Sequence, residues 1–382
     1  METTKVFDKA NSFAQILVRD HEYHDIRARI RTLQEKLNQE AATDYRSQIL
    51  QKACRDLLDE SPQPEAHFAL RDHVVEELEH LPDESLPRYL FYRYRYDVYP
   101  AQKIVDDFPP CLQIEPTSIC NYRCVFCYQI DPEFTKRSNG HMGMMSLDLF
   151  KRVVDQAEGA CEAITLASRG EPLICPDFEG MLEYLKGKFL GLKINTNASL
   201  LDERKCHAIL QADINTLVFS ADAASEPLYS QLRVKGNLER VLTNIRQFQN
   251  IQKRDYPDSK MITRVSGVKY SQDQDINEME GLWGELVDQV AFVDYNPWEN
   301  TYVQPINEVT TPCSDLWRRT FVWFDGTVNP CDVDYKTTMA VGNVNTDDVS
   351  KLWTGEKYSA LREAHLAKKR SALSPCNRCT VV

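Results

Sequence analysis

Between about residues 112 and 296, short apolar runs alternate with longer amphipathic ones six times over, and this alternation restricts the possible folds more than any other feature of the chain. The strand candidates are Leu112–Glu115, Ala163–Ala167, Leu192–Thr196, Thr216–Ser220, Ile262–Val268 and Val290–Tyr295, most of them rich in β-branched residues. The stretches between them place their apolar residues on one helical face, as Leu238, Val241, Leu242, Ile245 and Phe248 do. Ser146 and Asp202 are candidate N-caps. Such repeated units predict an α/β fold with a parallel sheet, closed or partly closed, and helices packed outside it.

Three cysteines follow the first strand candidate in the run Glu115-Pro-Thr-Ser-Ile-Cys-Asn-Tyr-Arg-Cys-Val-Phe-Cys-Tyr128. Thiolates at Cys120, Cys124 and Cys127 can hold three irons of a cubane 4Fe-4S cluster and leave the fourth iron without a protein ligand. A cluster that only carries electrons normally takes four cysteines, so a triad implies that a substrate or cosubstrate occupies the open position. The alternatives are a zinc site or three buried structural cysteines; zinc knuckles, however, favour Cys-x2-Cys pairs.

A second group, Cys313, Cys331, Cys376 and Cys379, lies beyond the alternating region. Its first two members flank Phe321-Val-Trp-Phe-Asp-Gly-Thr-Val-Asn329, a β-hairpin by pattern with Asp325-Gly326 at its turn. A helix is expected from about Asp348 to His365, and the whole reads as a separate small module. By spacing alone, four thiolates here suit a tetrahedral zinc site. Seven of the chain's twelve cysteines thus have ligand-like spacing; Cys54, Cys111, Cys161, Cys175 and Cys206 read as buried apolar residues, with Cys111 close to the triad in sequence.

The 382 residues suffice for a barrel-sized domain and one or two smaller modules. A net charge of −12 argues against a surface that tracks nucleic-acid phosphates. No apolar run reaches the ~18 residues of a membrane span, and Met1-Glu-Thr-Thr-Lys-Val-Phe-Asp is not a secretory leader, so no membrane partner and a cytoplasmic location are expected. No histidine cluster, Walker loop or complete Gly-x-Gly-x-x-Gly element is present. Near the N-terminus, Ile26, Ile30, Leu33 and Leu37 form a short stripe, and Tyr45 to Leu58 reads as a helix, both packing inward. Arg88-Tyr-Leu-Phe-Tyr-Arg-Tyr-Arg-Tyr96 interleaves arginine with aromatic residues, a pattern read here as packing with solvated arginine heads.

The Cys-x3-Cys-x2-Cys triad, with Phe126 before its last cysteine and an apolar strand before its first, is similar to the signature of the radical S-adenosylmethionine (SAM) superfamily. The C-terminal runs Pro312-Cys-Ser-Asp-Leu-Trp, Phe324-Asp-Gly-Thr-Val-Asn-Pro-Cys-Asp-Val-Asp334, Val341-Gly-Asn-Val, Leu352-Trp and Pro375-Cys-Asn-Arg-Cys379 resemble its SPASM/twitch extension. Having four cysteines there resembles the shorter twitch type, with a spacing similar to that of the 2-deoxy-scyllo-inosamine dehydrogenases of aminoglycoside biosynthesis. The resemblance implies a partial (β/α)6 barrel with functional residues at the C-terminal ends of its strands. It divides the chain into an N-terminal helical extension (1–110), a barrel (111–305) and a twitch/SPASM-like hairpin-plus-helix domain (306–382). It also implies two 4Fe-4S clusters, SAM as cosubstrate, and a flavodoxin- or ferredoxin-type electron donor.

In that family the amino and carboxylate groups of SAM chelate the open iron, and reductive cleavage gives a 5'-deoxyadenosyl radical that removes a hydrogen atom from carbon. Ser168-Arg-Gly-Glu-Pro172 stands where a Gly-Gly-Glu-Pro segment meets the SAM ammonium, which assigns Ser168, Gly170 and Glu171 to the cosubstrate. Ser220, in the family's Ser-x-Asp strand end, is a candidate for the methionyl carboxylate or ribose, and Arg233, in a Tyr-x-x-Leu-Arg segment, for the carboxylate. Asn195 and Asn197 end the third strand and reach the same cavity. The expected reaction is oxidation of a small polyol, amino sugar or sugar nucleotide, with the second cluster accepting an electron and Arg264, Tyr295, Glu299 or Asp334 accepting the proton. A ribosomal peptide substrate, a redox-neutral isomerisation and a non-enzymatic electron carrier are the competing readings.

Overall fold

Six parallel strands form where the alternation places them. The computed structural model describes residues 13–17, 23–40, 44–59, 61 and 67–382. Its strands are β1 (Phe13–Leu17), β2 (Cys111–Ile114), β3 (Arg123–Cys124), β4 (Ala163–Leu166), β5 (Gly191–Thr196), β6 (Thr216–Ser220), β7 (Arg233–Val234), β8 (Ile262–Lys269), β9 (Gln289–Asp294), β10 (Arg319–Val322), β11 (Thr327–Asn329) and β12 (Gly342–Asn343). The main sheet runs β1-β9-β8-β6-β5-β4-β2-β10-β11-β12, with β2, β4, β5, β6, β8 and β9 mutually parallel. Helices Leu147–Ala157, Phe178–Leu185, Glu203–Gln211, Leu238–Asp255 and Ile276–Gly284 make the five crossovers.

Burial explains the pairing. Along β5, Leu192, Ile194 and Thr196 are buried and Lys193 and Asn195 half-buried, the period of two expected of a strand. Leu192 and Ile194 join Leu112, Ile114, Leu217, Phe219 and Val265 in one core with the helices. The opposite face, and the loops leaving the strands' C-terminal ends, therefore carry the polar residues. Ser146 and Asp202 cap their helices as expected, accepting from Leu149 N at 3.3 Å and Lys205 N at 2.9 Å.

Both ends of the six-stranded array are extended by further strands. On one edge, β1 pairs antiparallel with β9, so the N-terminal segment contributes a strand as well as helices. On the other, β10 pairs in parallel with β2, with Phe321 opposite Gln113, and β11 and β12 follow antiparallel. The C-terminal region thus continues the barrel's sheet instead of standing apart as a separate module: β2 would otherwise present an unpaired edge. The hairpin turns at Gly326, whose φ of +85° suits the turn, while Asp325 keeps a negative φ. The single C-terminal helix expected is two, Val349–Thr354 and Glu356–Leu366, separated by an extended Gly355.

Residues 18–106 form a second compact unit. It contains α1 (Tyr23–Glu40), α2 (Tyr45–Leu58), α3 (Asp72–Glu79) and α4 (Leu86–Gln102). Ile26, Ile30 and Leu37 are buried, as their spacing predicts. The arginine heads of α4 are not solvated: Arg93 and Arg95 are buried, Arg93 against Asp97 and Glu77 and Arg95 against Asp106, because each guanidinium has a carboxylate to follow it inside. Among the described residues, no helix is long and apolar enough to cross a membrane.

Candidate functional site: two cysteine sites and the polar network between them

The cysteine loop leaves the C-terminal end of β2 and is pinned by a short ladder in which Cys124 pairs with Arg233. Arg233 also directs its guanidinium at the loop, with Nη1 3.8 Å from Cys124 Sγ and Nε 2.6 Å from Asp222 Oδ2. Both members of this ion pair are buried, so Arg233 already has a carboxylate partner within the protein. Burial raises the Asp222 carboxyl above its usual range, and Arg233 pulls it back down. Asp222 was the partner hidden in the Ser-x-Asp motif. Ser220, one turn of the strand earlier, ends β6 half-buried.

The segment after β4 packs directly onto the cysteine loop. A Cβ at Gly170 would lie 2.3 Å from Thr117 O and 2.5 Å from Ile119 O, so the close approach requires glycine. Glu171 is buried; its oxygens accept from Leu173 N at 3.2 Å, Thr196 Oγ1 at 2.6 Å and Asn197 N at 2.7 Å. It therefore ties β4 to the end of β5, with one lone-pair direction left over. Asn197 in turn donates to Asn121 Oδ1 at 2.9 Å, inside the cysteine loop. The buried Asn195 Oδ1 and Ser168 Oγ have no hydrogen-bond partner. Ser168 sits at φ +148°, a region that favours glycine.

Arg169, which stands where the family's segment has glycine and had no expected role, forms the most extensive polar contacts in this region. Its Nε and Nη2 each lie 2.7 Å from a Glu115 oxygen, a two-point pair with both side chains buried. Nη1 donates to Tyr335 O at 2.9 Å, and the guanidinium lies 4.1 Å from the Trp323 ring centroid. Alternation along β2, with Leu112 and Ile114 facing the helices, could have placed Glu115 on this side; nothing local identified Arg169 as its partner.

The four C-terminal cysteines line one largely apolar cavity of about 20 Å³, together with Val333, Met339 and Arg370. Tyr335 leads from there back to the triad: its ring stacks on Tyr128 at 4.8 Å, and Cys127 packs against the cluster that these two rings form with Phe134. The Tyr335 hydroxyl shares its one proton between Asp131 Oδ2 at 2.7 Å and Glu299 O at 3.1 Å. Trp298, beside Glu299, packs on the cluster of Val333, Cys379 and Val381, as Cys313 and Cys331 also do. Glu299 accordingly lies between the two cysteine groups. Its carboxylate is buried; Oε1 accepts from the Tyr295 hydroxyl and, at 2.8 Å, from Asn300 Nδ2, whereas Oε2 has no partner.

The remaining candidate bases are placed differently. Asp334 is fully buried and accepts from Tyr302 Oη, Thr338 N, Thr338 Oγ1 and Met339 N at 2.7 to 3.0 Å, the pattern of a turn-closing carboxylate. Arg264 donates to Gln289 Oε1 at 2.6 Å within the sheet. Tyr295 is committed as a donor to Glu299 and packs edge-on against Tyr270, which in turn meets Phe126 of the cysteine loop. Cys111, at the start of β2, neighbours Lys193 and Arg319 at the other end of the sheet and does not join the triad.

The profile of the Radical SAM superfamily matches residues 114–280, and that of the SPASM iron–sulfur cluster-binding domain matches residues 313–380. The chain carries a radical SAM domain followed by a SPASM domain. It is 32% identical over 113 residues to the tungsten-containing aldehyde ferredoxin oxidoreductase cofactor-modifying protein of Pyrococcus furiosus, covering 29% of this chain and 30% of that protein. The chain spans between 30% and 57% of the length of the curated relatives it matches best. A solved structure of native anSMEcpe with bound AdoMet superposes with a TM-score of 0.52 at 15% identity, over 71% of this chain and 88% of that one. Streptococcus suis SuiB bound to precursor peptide SuiA gives 0.50 at 16% identity, over 77% and 75%.

Radical SAM and SPASM domains imply iron–sulfur clusters and SAM, and the residues of this radical SAM protein fit them. Backbone amides and Arg233 point at the sulfurs, with Tyr122 N 3.4 Å from Cys120 Sγ and Val381 N 3.4 Å from Cys379 Sγ, as polar groups do around cluster thiolates. Burial pushes Cys120 and Cys376 up to about 12 and Cys313 to about 11, so thiolates at these positions need the positive charge that iron supplies. Among the described residues, no three His, Cys, Asp or Glu side chains converge tightly enough to hold a single metal ion.

Proposed function

We propose that this protein is a radical SAM enzyme with two 4Fe-4S clusters that oxidises a carbinol carbon of a small polyol, amino sugar or sugar nucleotide. When bound, the clusters and SAM supply a 5'-deoxyadenosyl radical that takes a hydrogen atom from that carbon, together with an acceptor at the four-cysteine site for the electron left behind. The chain's own residues handle the proton. Glu299 carries this reading: it is a carboxylate with one free oxygen, 9% exposed, between the two cysteine groups. Its free Oε2 accepts the substrate hydroxyl proton, and the Tyr295 hydroxyl on Oε1 fixes the orientation of the carboxylate. The products balance as a ketone, 5'-deoxyadenosine, methionine, one proton on Glu299 and one electron at the second site.

Asp334 has no oxygen to spare, and a guanidinium such as Arg264 stays protonated, which leaves Glu299 as the base. Ser168 Oγ and Asn195 Oδ1, buried and unpartnered, are offered as contacts to cosubstrate or substrate, with Ser220 and Asn197 beside them. Arg233 is reassigned to holding Asp222 and the Cys124 sulfur. A flavodoxin- or ferredoxin-type protein is the proposed electron donor.

A peptide substrate is the second reading. Val303 and Ile306, 78% and 60% exposed just after Glu299, offer an apolar rim that an extended peptide would use. The deciding experiment incubates dithionite-reduced protein and SAM with a panel of carbon-deuterated polyols, amino sugars and sugar nucleotides. Deuterium should enter 5'-deoxyadenosine from one class, with one SAM consumed per ketone formed. Glu299→Gln should lower ketone formation about 10²–10⁴-fold while SAM cleavage continues. Transfer only from a deuterated peptide, or SAM recycled without net consumption, would replace this reading with a maturase or an isomerase.

A further inference from the structure

We infer that Arg169 is a positioning residue that transmits cosubstrate binding to the C-terminal module and to Glu299. The inference rests on the reading that SAM binds beside the triad, against Ser168, Gly170 and Glu171. Six contacts carry it. The Arg169 backbone N lies 3.2 Å from Glu115 Oε2, so the same carboxylate that grips the guanidinium also fixes the loop's main chain. Glu115 Oε1 accepts from Phe324 N at 3.3 Å, which joins that carboxylate to the C-terminal hairpin. Arg169 Nη1 holds Tyr335 by its carbonyl, and the Tyr335 hydroxyl holds Glu299 by its own. On the other side, Gln129 Nε2 donates to both Ser118 O and Arg169 O, locking the loop to the cysteine segment.

The side chains at the centre of this network are buried, with Glu115 at 0%, Tyr335 at 1%, Gln129 at 2% and Arg169 at 3% exposure. A buried two-point ion pair has few alternative arrangements, and a displacement of segment 168–171 therefore moves Tyr335 with it. Ser168 adds to this: it holds a backbone conformation disfavoured for a serine, which the surrounding contacts must maintain. Residues that belong to the cosubstrate loop by sequence thus act on an element more than 160 positions away, and by linkage the effect runs in both directions.

The test is hydrogen exchange on the reconstituted holoprotein with and without SAM, alongside SAM affinity by equilibrium dialysis. In the wild type, SAM should slow amide exchange about fivefold or more in peptides covering 298–303 and 335–339. Arg169→Met leaves the buried Glu115 carboxylate without a countercharge, so the decisive variant is Arg169→Met with Glu115→Gln, which removes both charges. It should bind SAM within about threefold of wild type yet lose the protection in both peptides. Tyr335→Phe, which keeps the ring stack, should retain protection at 335–339 and lose it at 298–303. Absence of protection in the wild type, or its persistence in the double variant, would overturn the inference. A wild type that fails to bind SAM would instead remove the functional reading beneath it.

Discussion

Arg233 shows how residue type alone under-determines role. The sequence offers a basic side chain in a motif near a carboxylate-bearing cosubstrate, and pairing between the two is the natural expectation. Folding brings Asp222 to the same guanidinium at 2.6 Å, with the carboxylate fully buried. Breaking such a pair strands a charge in the interior, so Arg233→Met should destabilise the protein by about 3–5 kcal/mol in denaturant titrations, and adding Asp222→Asn should restore most of that loss. If Arg233 mainly binds the cosubstrate, stability will barely change and SAM affinity will fall instead. Glu171 and Asn197 are expected from their motif and strand end to meet the cosubstrate, but their roles as ties between strands were not legible: the donors that Glu171 satisfies lie at positions 173, 196 and 197 and meet only after β4 and β5 pair. Glu299 is the reverse case. It was one of four candidate bases, and only burial and an unpartnered oxygen single it out.

At the scale of elements, strand and helix periodicity was legible because one face of each element meets a single core. The six parallel strands fall within a residue or so of their expected bounds, and Tyr45–Leu58 is helical as expected. What periodicity does not encode is which edges pair across long separations, and so the β1–β9 and β2–β10 contacts were missed. Loop-on-loop packing is equally hidden. Gly170 sits where any Cβ would meet the backbone of the cysteine loop at Thr117 and Ile119, so the loop would have to shift. Gly170→Ala should therefore leave the helical and sheet signals in circular dichroism intact while the triad loses its iron, leaving about four irons per chain at the second site. Retention of full iron content would show that the two loops are not packed as tightly as this contact requires.

At the scale of the whole molecule, the seven ligand-like cysteines predicted the organisation of the site better than any boundary between domains. Both groups lie in the unit that contains the sheet, and the structure joins them through Tyr128, Tyr335 and Glu299. The expected division at residue 306 cuts across a continuous sheet, since β10 hydrogen-bonds to β2 and Arg169 grips Tyr335. An oxidation that splits a hydrogen atom, a proton and an electron among three acceptors needs them fixed relative to one another, and a shared sheet with a buried polar network provides that rigidity. The account therefore depends on two clusters in one body. Iron and sulfide analysis after anaerobic reconstitution measures this most directly: the wild type should hold about eight of each per chain, and either Cys120/Cys124/Cys127→Ala or Cys376/Cys379→Ala should hold about four. Only the second variant should still form 5'-deoxyadenosine from SAM under dithionite. Full iron content in the triad variant, or stoichiometric zinc at the C-terminal cysteines of the wild type, would contradict the account.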